Sequence, residues 1–349
     1  MSTAGTSNPE YVNARVRSRR ASLFSDEDYR KLVRMGPGEI ARFMEESTYE
    51  DAINALGSRY AGVDLIEYAL NRDLAAQFDD ILGWAEGRLY DLIARYLRKF
   101  DAWNVKTVIR GIYSGADRET VEADLIRAGE FDERRVARLL DAGSIEEVVD
   151  VLADTIFGGP LEDAYEDYEE SNVLVPLENA VDRAFYENLL GDINAEDEAV
   201  SLYVEFLEAE IDFRNARNAL RLARSGAAVD PADYYIEGGT LFSATELSQL
   251  ATSMDELVAH IRDSKYGDEL SEALDELERA ESLVSFERAL EAALLEYADT
   301  IGHTFPLSIT PVLSYILAKE REVDNIRAIA RGREAGLSDE EIENELVIL

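Results

Sequence analysis

Two histidines, no cysteine and 73 acidic side chains bound the chemistry open to this 349-residue chain. Without a thiol there is no disulfide and no thiolate nucleophile. His260 follows Glu256 by four residues, and Asp299 is the one acid among the four residues before His303. Neither matches the Glu-x-x-His spacing that sets two metal ligands on one face of a di-metal helical bundle. The chain has no G-x-x-x-x-G-K-S/T loop and no G-x-G-x-x-G turn, so nothing in it is built to cradle phosphates on backbone amides. Gly36-Pro-Gly38 and Phe157-Gly-Gly-Pro160 read as turns. The expectation is a non-enzyme with no catalytic residue, cofactor or metal. An unrecognised carboxylate site is the alternative, and a metal retained on purification would reveal it.

One constellation does recur. Asp101, Asn104, Lys106 and Arg110 are matched by Asp212, Asn215, Arg217 and Arg221, and again by Glu322, Asn325, Arg327 and Arg331. In each, an acid is followed by Asn three residues on, a base two after that and Arg four further. The positions of the asparagines differ by 111 and then by 110. A second marker keeps the same beat: Phe24, Phe131 and Phe242, each opening an acid-rich amphipathic stretch, are 107 and 111 apart. A fainter third trace aligns Tyr49-Glu-Asp51 with Leu161-Glu-Asp163 and Tyr266-Gly-Asp268. Such a period is several times that of short solenoid units, so each copy is a small domain. The expected domains are 1–115, 116–230 and 231–349, with seams at Tyr113 to Asp117 and Ser225 to Asp233.

At about 100° per residue, Asn104 falls beside Phe100 and Val108 in a buried stripe, while Lys106 and Arg110 point to the opposite face. A buried amide needs partners. The simplest arrangement lets the acid three residues earlier accept from the Asn amide while the Asn side chain satisfies a neighbouring helix terminus. The basic pairs have two readings: they neutralise acids of the next helix or domain, or some face a central hole and grip an acidic partner.

The elements that must carry these residues are helices. Only seven prolines interrupt the chain, and apolar residues recur at three- and four-residue steps. Leu89, Leu92, Ile93, Tyr96, Leu97, Phe100 and Trp103 form one wide stripe. Thr310 and Pro311 read as cap and first turn of a last long helix ending near Gly332 or Gly336. The fold class is all-α. Three equivalent domains can close around an approximate three-fold axis.

The net charge of −38, with five lysines in all (31, 99, 106, 265 and 319), makes the chain repel itself. Screening lengths shrink from about 10 Å at 0.1 M salt to about 3 Å at 1 M, so this composition suits a halophile's cytosol. A dedicated acidic interaction surface is the alternative, but the acids spread evenly from Asp26 to Glu345. Nucleic acid is disfavoured as a partner, since nothing here neutralises a row of phosphates. No apolar stretch approaches the roughly 20 residues a bilayer span needs. Met1 to Glu10 reads as a frayed polar tail without the apolar core of a signal peptide.

The recurring segments also carry a resemblance. Asn104 to Gly111, Phe213 to Arg221 and especially Pro311 to Gly332, with Tyr11 to Arg17 and Pro176 to Arg183, resemble the C subunits of archaeal A-type ATP synthases, relatives of the d subunit of the vacuolar proton pump. The likeness runs along nearly the whole chain. It implies an all-helical funnel or socket of three similar domains in pseudo-three-fold array, seated peripherally on the cytoplasmic face of the membrane. It implies as partners the proteolipid ring and shaft subunits D and F, and through them the catalytic A and B subunits. The implied role is non-catalytic coupling of proton or sodium flow to ATP synthesis. A free-standing helical adaptor of a halophile is the competing expectation.

Overall fold

A computed structural model describes residues 7–191, 193, 198–225, 231–268, 270–280 and 283–347. Among them are eighteen α-helices and no strand, as the periodicity requires. Parts of two sequence expectations, the tail at 1–6 and the seam at 226–230, lie outside the described residues.

Helix order repeats with the motif. Three short helices come first, α2 (Asp26–Leu32), α3 (Pro37–Glu45) and α4 (Glu50–Leu56), preceded by α1 (Pro9–Arg20) and followed by two long ones, α5 (Gly62–Trp84) and α6 (Gly87–Ser114), then the short α7 (Arg118–Ala123). The sequence α8 (Glu133–Asp141), α9 (Ile145–Leu152), α10 (Gly158–Ser171), α11 (Val175–Leu190), α12 (Glu198–Ser225) and a 3-10 turn at Pro231–Tyr234 repeats that order. So do α13 (Ala244–Leu250), α14 (Met254–Arg262), α15 (Ser271–Ala280), α16 (Val284–Thr304), α17 (Thr310–Glu334) and α18 (Asp339–Glu343). Serines set many of the short starts. Ser25, Ser243 and Ser338 each accept from the backbone N–H three residues on, while that residue's carboxylate returns the favour to the serine N–H. Such reciprocal caps satisfy two free amides at once.

Cα packing groups the chain into two compact units, residues 1–107, 117–132 and 298–349 in one and 108–116 with 133–297 in the other. In the first, α17 packs on α5 and α1. Residues 310–316 are buried without a break, and Val323, Ile326, Ile329 and Ala330 are at most 2% exposed. A helix buried on nearly every side reads as an interior element, and each such branched side chain contributes about 1.5–3 kcal/mol over exposure. The core of the second unit gathers Phe213, Leu220, Phe242, Leu247, Leu257, Ile261, Leu274, Phe286 and Leu290 around α12 and α14.

Four local expectations are corrected. α1 begins at Pro9, so the end of the polar tail is helical. Trp103 is exposed, because beyond Phe100 the buried face of α6 turns toward Asp101, Asn104, Val105 and Val108. The two glycine-proline runs are helix starts rather than plain turns: Pro37 opens α3, where the Glu39 carboxylate accepts from Gly36 N, and Pro160 lies in the first turn of α10. Thr310 does not cap α17. Its hydroxyl donates 3.0 Å to the Ile301 carbonyl in the last turn of α16, one of the free carbonyls a helix end leaves. The end of α17 is as expected: the helix stops at Glu334, and Gly336 takes the left-handed φ of +75° that favours glycine.

Candidate functional site

The three motif asparagines do the same thing. Asn104 Nδ2 donates to Ile126 O at 2.8 Å while its Oδ1 accepts from Ile126 N at 2.9 Å. Asn215 pairs with Ile236 at 2.8 and 2.9 Å, and Asn325 with Val347 at 3.0 and 2.9 Å. In each case the target is the non-helical backbone just past the short element that follows the motif helix. Only a carboxamide supplies donor and acceptor in the geometry of a peptide group. All three asparagines are buried, so both bonds replace water lost on folding.

The acid three residues earlier grips a second backbone point. Asp101 accepts from the N–H groups of Glu130 (2.8 Å) and Phe131 (3.1 Å). Asp212 accepts from Thr240 N (2.7 Å), Leu241 N (2.8 Å), the Thr240 hydroxyl and the Tyr266 hydroxyl (2.8 Å). The sequence predicts an acid accepting from its own asparagine. The asparagine amide is instead committed to a carbonyl, and the acid reaches a later stretch of backbone beside the phenylalanine marker. Gly129 and Gly239 stand immediately before these amides. A Cβ on Gly129 would lie 2.6 Å from Asp101 Oδ2 and closer still to Cγ, and one on Gly239 would lie 3.1 Å from Asp212 Cγ and closer to Oδ1.

The third acid turns instead to the beginning of the chain. Glu322 accepts from Phe24 N and from the Tyr49 hydroxyl at 2.7 Å. Phe24 is the first copy of the phenylalanine marker. Lys319, 1% exposed, lies 2.9 Å from Glu322 Oε1, 2.9 Å from the Tyr49 hydroxyl and 2.8 Å from Asp73 Oδ2, with its ammonium over the Tyr49 ring. The contact to Asp73 Oδ2 is close in distance but lacks hydrogen-bond alignment, so it is an ion pair only.

Environment separates the copies. Burial pushes the Asp101 carboxyl up to about 7 against the pull of its two backbone donors. Burial, with Glu322 and Asp73 adding, drives the Tyr49 phenol well above its ordinary range, and burial with Asp212 raises Tyr266 likewise. Both tyrosines therefore stay protonated donors.

The outer base of each pair meets an acid. Arg110 binds Glu178 in two-pronged fashion (2.6 and 3.0 Å), Arg221 binds Glu287 (2.7 and 2.7 Å), and Arg331 binds Glu67 through Nε and, at 3.0 Å, through its terminal nitrogen. The hydrogen bonds to Glu178 and Glu67 raise the basicity of Arg110 and Arg331. The inner bases differ. Arg327 donates to Asp324 (2.7 Å) and to Asn71 Oδ1 (2.9 Å), and Lys106 is half-buried. The Arg217 guanidinium is held below its usual basicity by burial and the nearby Arg214 and Arg221, and its Nε is buried without a hydrogen bond.

The acids, asparagines and outer arginines, nine of the twelve motif residues, thus form one clamp used three times, and sequence reasoning missed the glutamates that meet its arginines. Glu67, Glu178 and Glu287 differ in position by 111 and 109, the beat already found for the asparagines. The third trace is also corrected. Ser47, Thr155 and Ser264 each donate to a carbonyl three residues back and accept from the N–H of Tyr49, Phe157 and Tyr266. Phe157, not Leu161, is the equivalent of the two tyrosines, and the shared pattern is Ser or Thr, any residue, aromatic. Chemically, the carboxylate oxygens of each clamp acid are engaged by protein donors. Among the described residues no group of three His, Asp or Glu stands at metal-binding spacing. His260 stacks on Phe242 and contacts the Leu241 carbonyl at 3.0 Å, beside the second clamp. No helix among the described residues is long and apolar enough to cross a membrane.

Comparison with known proteins places this arrangement. Residues 12–345 match the family model described as ATP synthase (C/AC39) subunit. Over the full length of both chains the protein is 76% identical to the C subunit of the A-type ATP synthase of Haloferax volcanii. It is 69% identical to that of Haloquadratum walsbyi, covering 99% of this chain and all of the relative. It is 36% identical to that of Methanosarcina acetivorans, covering 99% of this chain and 94% of the relative. The high-identity relatives are haloarchaeal, in keeping with the acid excess and scarce lysine. The chain belongs to the ATP synthase (C/AC39) subunit family and is a subunit of an A-type ATP synthase.

Proposed function

We propose that this subunit is the non-catalytic socket of the central stalk, joining the shaft subunits D and F to the proteolipid ring on the cytoplasmic face of the membrane. Torque passes through it between the ring and the A and B subunits, driven by protons or sodium ions. A coupling part must be stiff and needs no reactive group. The observation that carries the reading is the hand-on of the clamp. Motif residues of the first copy hold the second (Asp101 to Phe131, Arg110 to Glu178), those of the second hold the third (Asp212 to Leu241, Arg221 to Glu287), and those of the third hold the first (Glu322 to Phe24, Arg331 to Glu67). A cyclic series of three like grips supports three helical repeats, 1–115, 116–230 and 231–349, in pseudo-three-fold array, since an open series leaves its last grip unfilled.

The test is affinity isolation from native high-salt lysate with identification of what comes along. Recovery of the A and B subunits together with D, F and the proteolipid is expected, as is co-sedimentation with membranes that is lost when the ring is removed. A chain that stays in the soluble fraction and brings down none of these is a free-standing adaptor, and the stalk reading fails.

A further inference from the structure

Three motif helices of similar sequence must each find the right long helix among three similar ones. α6 meets α11 through Arg110 and Glu178, α12 meets α16 through Arg221 and Glu287, and α17 meets α5 through Arg331 and Glu67. Those Arg–Glu pairs are alike and cannot tell the partners apart. A second position does differ. Three residues before the motif acid stand Arg98, Ala209 and Lys319, and six residues after the paired glutamate stand Asp73, Ala184 and Ala293. Where α17 lies on α5, Lys319 and Asp73 form a buried ion pair, 1% and 8% exposed at the side chain. Around α12 and α16 the equivalent residues, Ala209 and Ala293, belong to one apolar core. Arg98 is half-buried and paired with Glu130.

We infer that the Lys319–Asp73 pair is a pairing code that selects α17, over its homologue α12, as the occupant of the α5 groove. The physics is the asymmetry of buried charge. A matched buried pair roughly breaks even with an apolar replacement, whereas one member buried without the other is strongly unfavourable. Placing α12 on α5 would set Ala209 against Asp73 and leave its buried charge the Gln77 amide but no cation. Placing α17 on α16 would bury Lys319 against Ala293, leaving it Glu322 but neither Asp73 nor the Tyr49 hydroxyl. The first wrong pairing deprives a buried carboxylate of its cation and the second strips a buried cation of two partners, while the right set does neither. The code sits where it is most needed, because α17 and α5 are far apart in sequence and their junction ties the two ends of the chain together. The inference rests on the equivalence of the three repeats and is independent of the stalk role.

The test uses the full chain at high salt. The chain has no cysteine, so Glu67→Cys with Arg331→Cys provides a reporter that a short bifunctional thiol-reactive linker bridges only when α17 lies on α5. In this background Lys319→Met with Asp73→Leu replaces the ion pair by apolar volume. The expected result is a purified native fraction whose midpoint denaturant concentration lies below the parent's, because Glu322 then keeps only the Phe24 N–H and the Tyr49 hydroxyl. After full denaturation and dilution, the bridged monomer should fall at least five-fold below the parent's yield. Lys319→Gln with Asp73→Asn, which keeps volume and polarity but removes charge, should show the same loss. Parental recovery of bridged monomer by either double variant overturns the inference. So does failure of both to fold at all, which would make the pair a source of stability rather than of selection.

Discussion

Replacing Gly129 by alanine probes the first clamp without touching its hydrogen-bonding atoms. The added Cβ would sit 2.6 Å from Asp101 Oδ2 and nearer still to the rest of the carboxylate. Ordinary contact between heavy atoms is near 3.5 Å, so the carboxylate must retreat by roughly 1 Å. The bonds to Glu130 N and Phe131 N, now 2.8 and 3.1 Å, would then exceed the limit at which N–H donors hold an oxygen. Hydrogen bonds to a charged group contribute about 1.5–3 kcal/mol each, and Asp101 can soften the loss by protonating, so a net destabilisation of about 2–4 kcal/mol is expected. Gly83→Ala is the control. It lies within α5 with nothing near the new methyl, and should stabilise by about 0.5–1 kcal/mol. The assay is guanidinium denaturation in concentrated KCl followed by helical circular dichroism, with hydrogen exchange of the 129–131 backbone read by mass spectrometry. In an Asp101→Ala background, Gly129→Ala should cost almost nothing, since the obstacle is gone. A Gly129→Ala chain within about 0.5 kcal/mol of the parent, its Glu130 and Phe131 amides still protected, would refute the clamp as the reason for glycine here.

Two further outcomes follow from the same geometry. Because burial lifts Asp101 from 3.8 to about 7, the folded chain holds a proton that the unfolded chain releases, and stability falls as pH rises through that window. Asp101→Asn should flatten the slope by about 2–4 kcal/mol between the two ends, and parallel denaturation profiles for parent and variant from about pH 4 to pH 7 would contradict it. The caps Asp28, Asp117, Glu246 and Glu341, lowered chiefly by their hydrogen bonds, act with the opposite sign, losing stability as the solution is acidified below the ordinary carboxylate range. Asn215→Ala leaves both Ile236 backbone groups buried and unpaired and should cost about 2–4 kcal/mol by denaturation. Arg221→Ala breaks an ion pair whose arginine is 57% exposed and should cost no more than about 1 kcal/mol in salt; equal costs for the two would mean that burial is not what separates them.

Much of this molecule was legible in its sequence because helices are local. The 3.6-residue period and the glycine after α17 depend on residues within one or two turns, and composition alone carried the acid-rich, high-salt character. The repeat was legible too, since the same local solution was written three times: Asn104, Asn215 and Asn325 announced a buried amide in each. Their partners were not legible. Ile126, Ile236 and Val347 take part through backbone atoms, which leave no signature in side-chain identity, and the Glu130 amide that Asp101 reaches is marked only by its neighbours, Gly129 and the recurring Phe131. The returns of Glu322 to Phe24, of Arg331 to Glu67 and of Lys319 to Asp73 each run most of the length of the chain. Sequence settled which groups had to be satisfied, because desolvation penalises every buried donor and acceptor alike. Only the folded chain decided which groups satisfy them, because that choice depends on where distant helices come to rest.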